Sequence, residues 1–228
     1  MKKLLAASTA ALILVSFPVI TLGETQTQTV QVNKKTKREF FKAVREGNIE
    51  KIKELLSSGV PVDLPNKFNW TALFYAADSN NVELAKFLLE KGANIGARDY
   101  FEITPLHQAA IRNSLQVAKL LVEHGADVNV KDKYGYTPLH LAAIYNSYSV
   151  AKLLIKKGAN VNAKDNFGYT PLHYCATTRG TERTARLLLE NGADPKIKNN
   201  RGKTPLDLAN DVKNYRISKL ITKYMQKK

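Results

Sequence analysis

Three histidines and one cysteine are the side chains of this chain best suited to chemistry. His107, His140 and His173 recur at equal intervals, and Cys175 lies two positions after the last of them. Imidazole nitrogens and thiolates are common zinc ligands, and a thiolate is a nucleophile when a base activates it. Two kinds of chemistry therefore have to be considered, a metal site and a cysteine enzyme.

The surroundings of these residues favour neither. Because the histidines occupy equivalent positions of a repeat, we expect them to form a line instead of converging on one ion. Cys175 stands where other copies have one of the paired alanines Ala142 and Ala143, which predicts a small buried side chain, and no base is identifiable for it. The sequence also lacks a phosphate-cradling glycine loop, a zinc-ligand pattern and a nucleophile elbow. We predict no enzyme, no metal and no cofactor.

A repeat of constant period organises the chain that carries these side chains. Thr-Pro-Leu-His occurs at 104–107, 137–140 and 170–173, with Thr-Ala-Leu-Phe at 71–74 and Thr-Pro-Leu-Asp at 204–207. The interval from position 104 to position 137 defines the period. A sixth copy without the Thr-Pro start is indicated upstream by Gly59, one period before Gly92, and by apolar residues in register with later copies.

Each copy predicts two short helices. The threonine is placed to cap the first helix, and the proline after it suits the first helical position. Val150, Leu153 and Leu154 have the spacing of a second helix that ends at Gly158, where glycine permits a left-handed closing turn. Small paired alanines let neighbouring copies approach, so we expect the copies to stack into one continuous core.

The period, the Thr-Pro-Leu-His start and the Gly-Ala-Asp/Asn-Val-Asn ending closely resemble the ankyrin repeat family. The resemblance covers residues 37–228 as about six repeats including terminal caps. It implies an all-α ankyrin-repeat solenoid of stacked helix-turn-helix units with β-hairpin-like fingertips, and a structural hydrogen-bonding role for the histidines. It also implies a non-catalytic scaffold that binds a protein partner through its concave face and fingertips, and we expect this scaffold to be monomeric.

Three departures from the repeat predict local differences. Asn69 and Glu102 stand where later copies have a turn glycine, and Ala72 replaces the proline, so we expect altered fingertips in the second and third repeats. An extra residue around Arg179-Gly180 lengthens the connection in the fifth repeat and is a candidate specificity loop.

Aromatic residues recur at the fingertips and are the candidate partner-binding residues. One series, spaced by one period, is Phe68, Phe101, Tyr134 and Phe167; a second, two positions later in three copies, is Trp70, Tyr136 and Tyr169. Exposed aromatic rings are enriched among binding hot spots, but packing of some rings against neighbouring turns is the alternative. Tyr145 joins this set because it belongs to a first-helix position that varies between copies as Ser79, Arg112, Tyr145 and Thr178.

The N-terminus predicts export. Lys2 and Lys3 precede an uncharged stretch from Leu4 to Leu22, which is typical of a secretory signal peptide. We predict a signal peptide at 1–23, a flexible linker at 24–36 and a periplasmic or secreted protein. An uncleaved membrane anchor is the alternative. The only cysteine is Cys175, so the chain has no intramolecular disulfide.

The net charge of +15 is concentrated towards the C-terminus, and the rest of the chain is only mildly basic. The candidate basic patch comprises Arg201, Lys203, Arg216, Lys219, Lys223 and Lys227. An amphipathic last helix carrying such charges supports an alternative function, binding of nucleic acid or of an anionic membrane. A solvated cap kept soluble by lysine is the simpler interpretation.

Overall fold

The computed structural model describes residues 32–226. The predicted signal peptide at 1–23, most of the predicted linker and Lys227 lie outside this part of the chain. Residues 32–226 contain twelve helices and no strand. Their bounds are α1 Lys34–Glu46, α2 Ile49–Ser57, α3 Ala72–Ser79, α4 Val82–Glu90, α5 Pro105–Arg112, α6 Leu115–Glu123, α7 Pro138–Ile144, α8 Tyr148–Lys156, α9 Pro171–Thr177, α10 Glu182–Glu190, α11 Pro205–Asp211 and α12 Tyr215–Met225.

The helices form two layers, as the sequence repeat predicts. The odd-numbered helices, here called first helices, pack against one another in chain order from α1 to α11. The even-numbered second helices pack on their own first helix and, from α4 to α12, on one another. The alanine pairs are fully buried between first helices, whereas leucines such as Leu121, Leu154 and Leu188 fill the space between the layers. One continuous core therefore runs through all the repeats.

The first helix of the stack begins earlier than the sequence pattern indicates. α1 starts at Lys34, where Asn33 caps it by accepting a hydrogen bond from the Thr36 backbone N–H at 2.9 Å. Residues 34–36, assigned above to the linker, are therefore helical. At the second helix of this repeat, Lys51 and Glu54 form an ion pair at 2.7 Å at the surface.

Asparagine closes several of the first helices. Asn80, Asn113 and Asn146 adopt a left-handed conformation with φ between 53° and 54°. Asparagine tolerates this conformation better than most residues because its short polar side chain bonds locally. The side chain of Asn146 also donates to the carbonyl of Gly180 at 2.9 Å, so the turn of one repeat supports the lengthened loop of the next.

Candidate protein-interaction surface

Each fingertip, the turn before a first helix, is closed by the same set of hydrogen bonds. In the fourth repeat the Asp132 backbone N–H donates to the Tyr136 carbonyl at 2.9 Å. The Asp132 carboxylate accepts from the backbone N–H groups of Tyr134 and Tyr136 at 2.9 and 2.8 Å. These bonds give a hairpin-like turn without a strand. Asn66, Asp99, Asp165 and Asn199 occupy the same position in the other copies.

The expectation of altered turns in the second and third repeats is wrong. Asn69 and Glu102 take the left-handed conformation that glycine takes in later copies, with φ of 64° and 60°. The same closing bond forms across each turn, Asn66 N–H to Trp70 carbonyl at 2.8 Å in the second repeat. The surrounding repeat therefore imposes the turn at Glu102, whereas asparagine at position 69 tolerates the left-handed conformation by itself.

Neighbouring fingertips are tied together by backbone bonds. The N–H of Lys133 donates to the Phe101 carbonyl at 2.9 Å, and the N–H of Asn166 donates to the Tyr134 carbonyl at 3.0 Å. At the junction of the second and third repeats, the Asn69 side chain donates to the Arg98 carbonyl at 2.6 Å. The turns consequently form one connected edge of the molecule.

The first aromatic series lies exposed on this edge. We call these four residues the tip row: Phe68 is 57% exposed, Phe101 54%, Tyr134 42% and Phe167 53%. The rings of Phe101 and Tyr134 stack with centroids 6.4 Å apart. Tyr100, which the sequence reasoning did not select, is 65% exposed beside Phe101. An aromatic edge across four repeats thus faces solvent.

The second series packs against neighbouring rings, as the alternative interpretation predicts, and the binding role of these residues stays a prediction. Trp70 stacks on Phe74 with centroids 5.5 Å apart, and its indole N–H donates to Asp99 at 3.1 Å. Tyr136 and Tyr169 are half-buried, with rings 5.6 and 5.3 Å from that of Tyr174. These three aromatic residues hold the turns against the first helices.

Tyr174 is a structural residue that the sequence reasoning missed. Its hydroxyl donates to the Asp165 carboxylate at 2.5 Å and lies 3.2 Å from the Tyr136 hydroxyl, and burial raises the pKa of its phenol. Tyr75 occupies the same position three repeats earlier, and its hydroxyl accepts from Asn66 at 3.0 Å. This register is visible in the sequence and is the signal that would have identified both tyrosines.

The variable first-helix positions lie at the ends of the first helices. Tyr145 is 55% exposed, and its role in binding stays a prediction. Arg112 forms an ion pair with Asp78 at 3.1 Å, and Gln108 donates to the same carboxylate at 2.6 Å. This part of the face is therefore polar and locally neutral, whereas the position of Tyr145 is aromatic.

The three repeat histidines are buried and hydrogen-bonded at both ring nitrogens. In His140, Nδ1 accepts from the Thr137 backbone N–H at 3.0 Å, and Nε2 lies 3.1 Å from the Tyr169 carbonyl. Because a carbonyl only accepts, Nε2 carries the hydrogen and the ring is neutral. Burial lowers the pKa of His107 and of His140 to about 4. Each ring therefore joins its own helix start to the turn of the following repeat.

The remaining candidates for chemistry are the thiol of Cys175 and a possible metal site. Cys175 is fully buried, and burial raises the pKa of its thiol to about 12, which keeps it protonated at neutral pH. Within residues 32–226, no group of three or more histidine, cysteine, aspartate or glutamate side chains is arranged to hold a metal ion.

The candidate basic patch is divided between two elements. Arg201 and Lys203 lie in the turn before α11, and Lys203 pairs with Asp211 at 3.5 Å. Arg216, Lys219 and Lys223 are exposed on α12, where Arg216 approaches Glu182 at 3.7 Å. Two of the five described cations are thus partly neutralised by carboxylates. Lys227 lies outside the described residues.

Comparison with known families agrees with this geometry. A family model described as ankyrin repeats in three copies matches residues 27–99, 97–165 and 163–228. The chain belongs to the ankyrin-repeat family. Members of this family are typically non-catalytic scaffolds, and their repeats generally mediate protein–protein interaction. No curated protein matches the sequence.

Among the helices of residues 32–226, none has the length and apolar character needed to span a bilayer.

Proposed function

We propose that this chain is a non-catalytic scaffold that binds a protein partner through the tip row and the adjoining ends of its first helices. The observation that carries this proposal is the tip row itself, four aromatic side chains 42–57% exposed on consecutive, hydrogen-bonded turns. Burying such rings on a partner removes a large apolar area from water, and the tied turns lose little entropy on binding.

The half-buried rings beneath the tip row support the same function. Trp70, Tyr136 and Tyr169 hold the turns in place, so the exposed rings are presented in a fixed arrangement. Preorganised side chains bind more tightly than mobile ones because less rotamer freedom is lost. The division into exposed and supporting rings therefore suits recognition.

The test of this proposal is a triple substitution in the tip row, Phe101→Ala, Tyr134→Ala and Phe167→Ala. We expect the wild-type chain to retain a protein from cell-envelope or culture fractions that the triple variant does not retain. The retained protein is then purified and its affinity is measured directly. The matched control is Tyr215→Ala, which removes a ring that is 70% exposed at the start of α12, away from the fingertips.

Two outcomes would contradict the proposal. Equal retention by the triple variant, with unchanged helical circular dichroism, would show that the tip row is not the binding surface. Loss of retention only in a Lys219→Gln/Lys223→Gln variant, or only at high salt, would favour the alternative of a basic surface that binds nucleic acid or anionic membrane.

We further propose that the protein is exported through its N-terminal segment and acts in the periplasm or outside the cell. Support comes from the two lysines followed by the uncharged stretch from Leu4 to Leu22. Fractionation of cells that produce a C-terminally tagged chain tests this, with deletion of residues 2–23 as the control. Mass spectrometry of the exported form distinguishes cleavage after Gly23 from a retained anchor.

A further inference from the structure

A groove with an unusual concentration of positive charge lies between α1 and the fingertip of the second repeat. We call it the basic groove; its volume is about 570 Å³, within the range of sites that enclose small ligands. Five cationic side chains line it and no carboxylate does. They are Lys34, Lys37, Arg38, Arg45 and Lys67.

The inner wall of the basic groove is aromatic. The Phe41 ring, only 6% exposed, lies 5.7 Å from the ring of Tyr75. Asn66 fixes Tyr75 by donating to its hydroxyl at 3.0 Å. At the rim, the Lys67 ammonium lies 4.8 Å above the ring of Phe68, the first residue of the tip row. The groove thus combines an apolar floor with a cationic rim.

The positive charge of the basic groove is only partly offset by its surroundings, where Glu39 lines an adjoining hollow with Lys34 and Arg38. The ion pairs formed among residues 32–226 include none of the five lining cations. On α1 the pair that does form joins Lys42 to Glu46, at 3.9 Å, and neither of these residues lines the groove. Like charges gathered around a concave, partly apolar surface attract anionic groups.

The extent of the positive charge indicates a short anionic ligand. Asp78 lies three residues after Tyr75 on α3 and pairs with Arg112 at 3.1 Å, so the surface next to the groove on this side is locally neutral. A polynucleotide continuing along this face would bring its phosphates towards that carboxylate. A short peptide segment can be bound within the groove alone. Arginine guanidinium groups pair well with carboxylates because they donate two parallel hydrogen bonds.

We propose that the basic groove binds an acidic segment of the protein partner. Carboxylates of that segment would pair with Arg38, Arg45 and Lys67, and an apolar side chain would rest on Phe41 and Tyr75. This inference rests on the proposed scaffold function and names the chemistry of one part of the partner. It also places that part beside Phe68, so one partner can occupy the groove and the tip row together.

The probe for this proposal is a short fluorescein-labelled peptide of glutamates interrupted by two phenylalanines, added to the purified full chain. We expect fluorescence anisotropy to show binding that an Arg38→Gln/Arg45→Gln variant weakens roughly tenfold or more. Both arginines are exposed, so the fold should be kept, and circular dichroism checks this. The charge-matched control, Lys219→Gln/Lys223→Gln on α12, should change the affinity less than about twofold.

Three results would overturn the proposal. The first is equal binding of a peptide in which glutamine replaces every glutamate. The second is an equal loss in the α12 control, which would indicate non-specific attraction to a basic protein. The third is tighter binding of single-stranded oligodeoxythymidylate than of the peptide at the same salt concentration, which would identify a nucleic-acid site.

The same variants separate this inference from the proposed function. The tip-row triple variant retains Phe68 and should bind the acidic peptide normally. If the tip row is needed for partner capture but the peptide does not bind, the basic groove alone is rejected. If the peptide binds at the groove but the tip-row triple variant captures the partner normally, the proposed role of the tip row is rejected. The inference about the groove then stands by itself.

Discussion

At the scale of single residues, one neutral imidazole serves two neighbouring repeats. His140 completes the capping box of α7 at Nδ1 and bonds the next fingertip at Nε2. The second repeat has Phe74 at this position, fully buried and stacked on Trp70, and the hydroxyl of Thr71 is buried without a hydrogen-bond partner in the described structure. Apolar packing therefore replaces the hydrogen bonds in that copy.

Removing one such ring should cost substantial stability. His140→Ala leaves the Thr137 N–H and the Tyr169 carbonyl without their partners, and we expect a loss of about 2–4 kcal/mol in the free energy of unfolding. Urea denaturation measures this. His124→Ala, at an exposed histidine that bonds only the Leu120 carbonyl, should change stability by less than about 1 kcal/mol. Equal losses in the two variants would refute the dual role.

The histidines also predict how stability depends on pH. Burial lowers the pKa of His107 and His140 to about 4, below the ordinary value of 6.5, so the unfolded chain binds more protons between these values. Their neutral state is therefore stabilising above pH 6.5, and stability falls as the pH drops from 6.5 to 4, by on the order of 3 kcal/mol for each ring.

Urea unfolding at several pH values between 7 and 4.5 measures this dependence. A His107→Asn/His140→Asn variant should give a flatter profile, which separates the histidines from Asp132 and Asp207, whose pKa values are also shifted. A wild-type profile that is flat over this range would contradict the argument.

At the scale of helices and turns, the sequence predicted the architecture because the period is repeated so often. The start of α1 was not predicted, since residues 34–39 contain no large apolar side chain and Phe40 is the first to show helical spacing. The turn at Glu102 was mispredicted because tertiary packing overrides the preference of a single residue, and the turn at Asn69 because asparagine tolerates the left-handed conformation nearly as glycine does. The basic groove was missed because it joins α1 to the next repeat; in hindsight Lys34, Arg38, Phe41 and Arg45 already have the spacing of one helix face.

The turns predict that two glycines of similar conformation differ in their tolerance of a side chain. A Cβ at Gly135, φ 82°, would lie 2.6 Å from the Asn166 Oδ1 and 2.8 Å from its backbone nitrogen. At Gly158, φ 87°, nothing lies within 4 Å of that position. We expect Gly158→Ala to cost about 1 kcal/mol, the left-handed penalty alone, and Gly135→Ala clearly more. Chemical denaturation of both variants checks the order, and similar costs would show that the fingertips adjust freely.

At the scale of the whole molecule, two surfaces of different chemical character lie side by side. The tip row is aromatic and extends across four repeats, whereas the basic groove is cationic and belongs to the first two. Phe68 belongs to both. A partner that uses both surfaces would be held by apolar burial along one part and by charge at one end.

The two contributions should separate with salt. Screening shortens the reach of exposed charges to about 3 Å at 1 M salt, whereas burial of aromatic rings is not weakened by salt in this way. We expect acidic-peptide affinity to fall steeply between about 0.05 and 0.5 M sodium chloride, while retention that depends on Tyr134 and Phe167 changes little. Anisotropy titrations and retention assays over this range make the comparison. If peptide affinity and partner retention fell equally with salt, one surface would account for both kinds of binding.

The histidine hydrogen bond from one repeat to the next also gives the stack a direction. Every repeat histidine offers its Nε2–H to the copy that follows, but the sixth copy has Asp207, whose carboxylate accepts from the Thr204 N–H and hydroxyl, both at 2.8 Å. Those bonds, the backbone one first, hold the pKa of Asp207 below its usual value, so the carboxylate has no hydrogen to offer at neutral pH. A further repeat fused after the sixth would lack the histidine hydrogen bond at its junction. A duplicate of residues 137–169 inserted next to the original would have this hydrogen bond at both of its junctions. Insertion within the array is therefore expected to be better tolerated than extension beyond the sixth repeat.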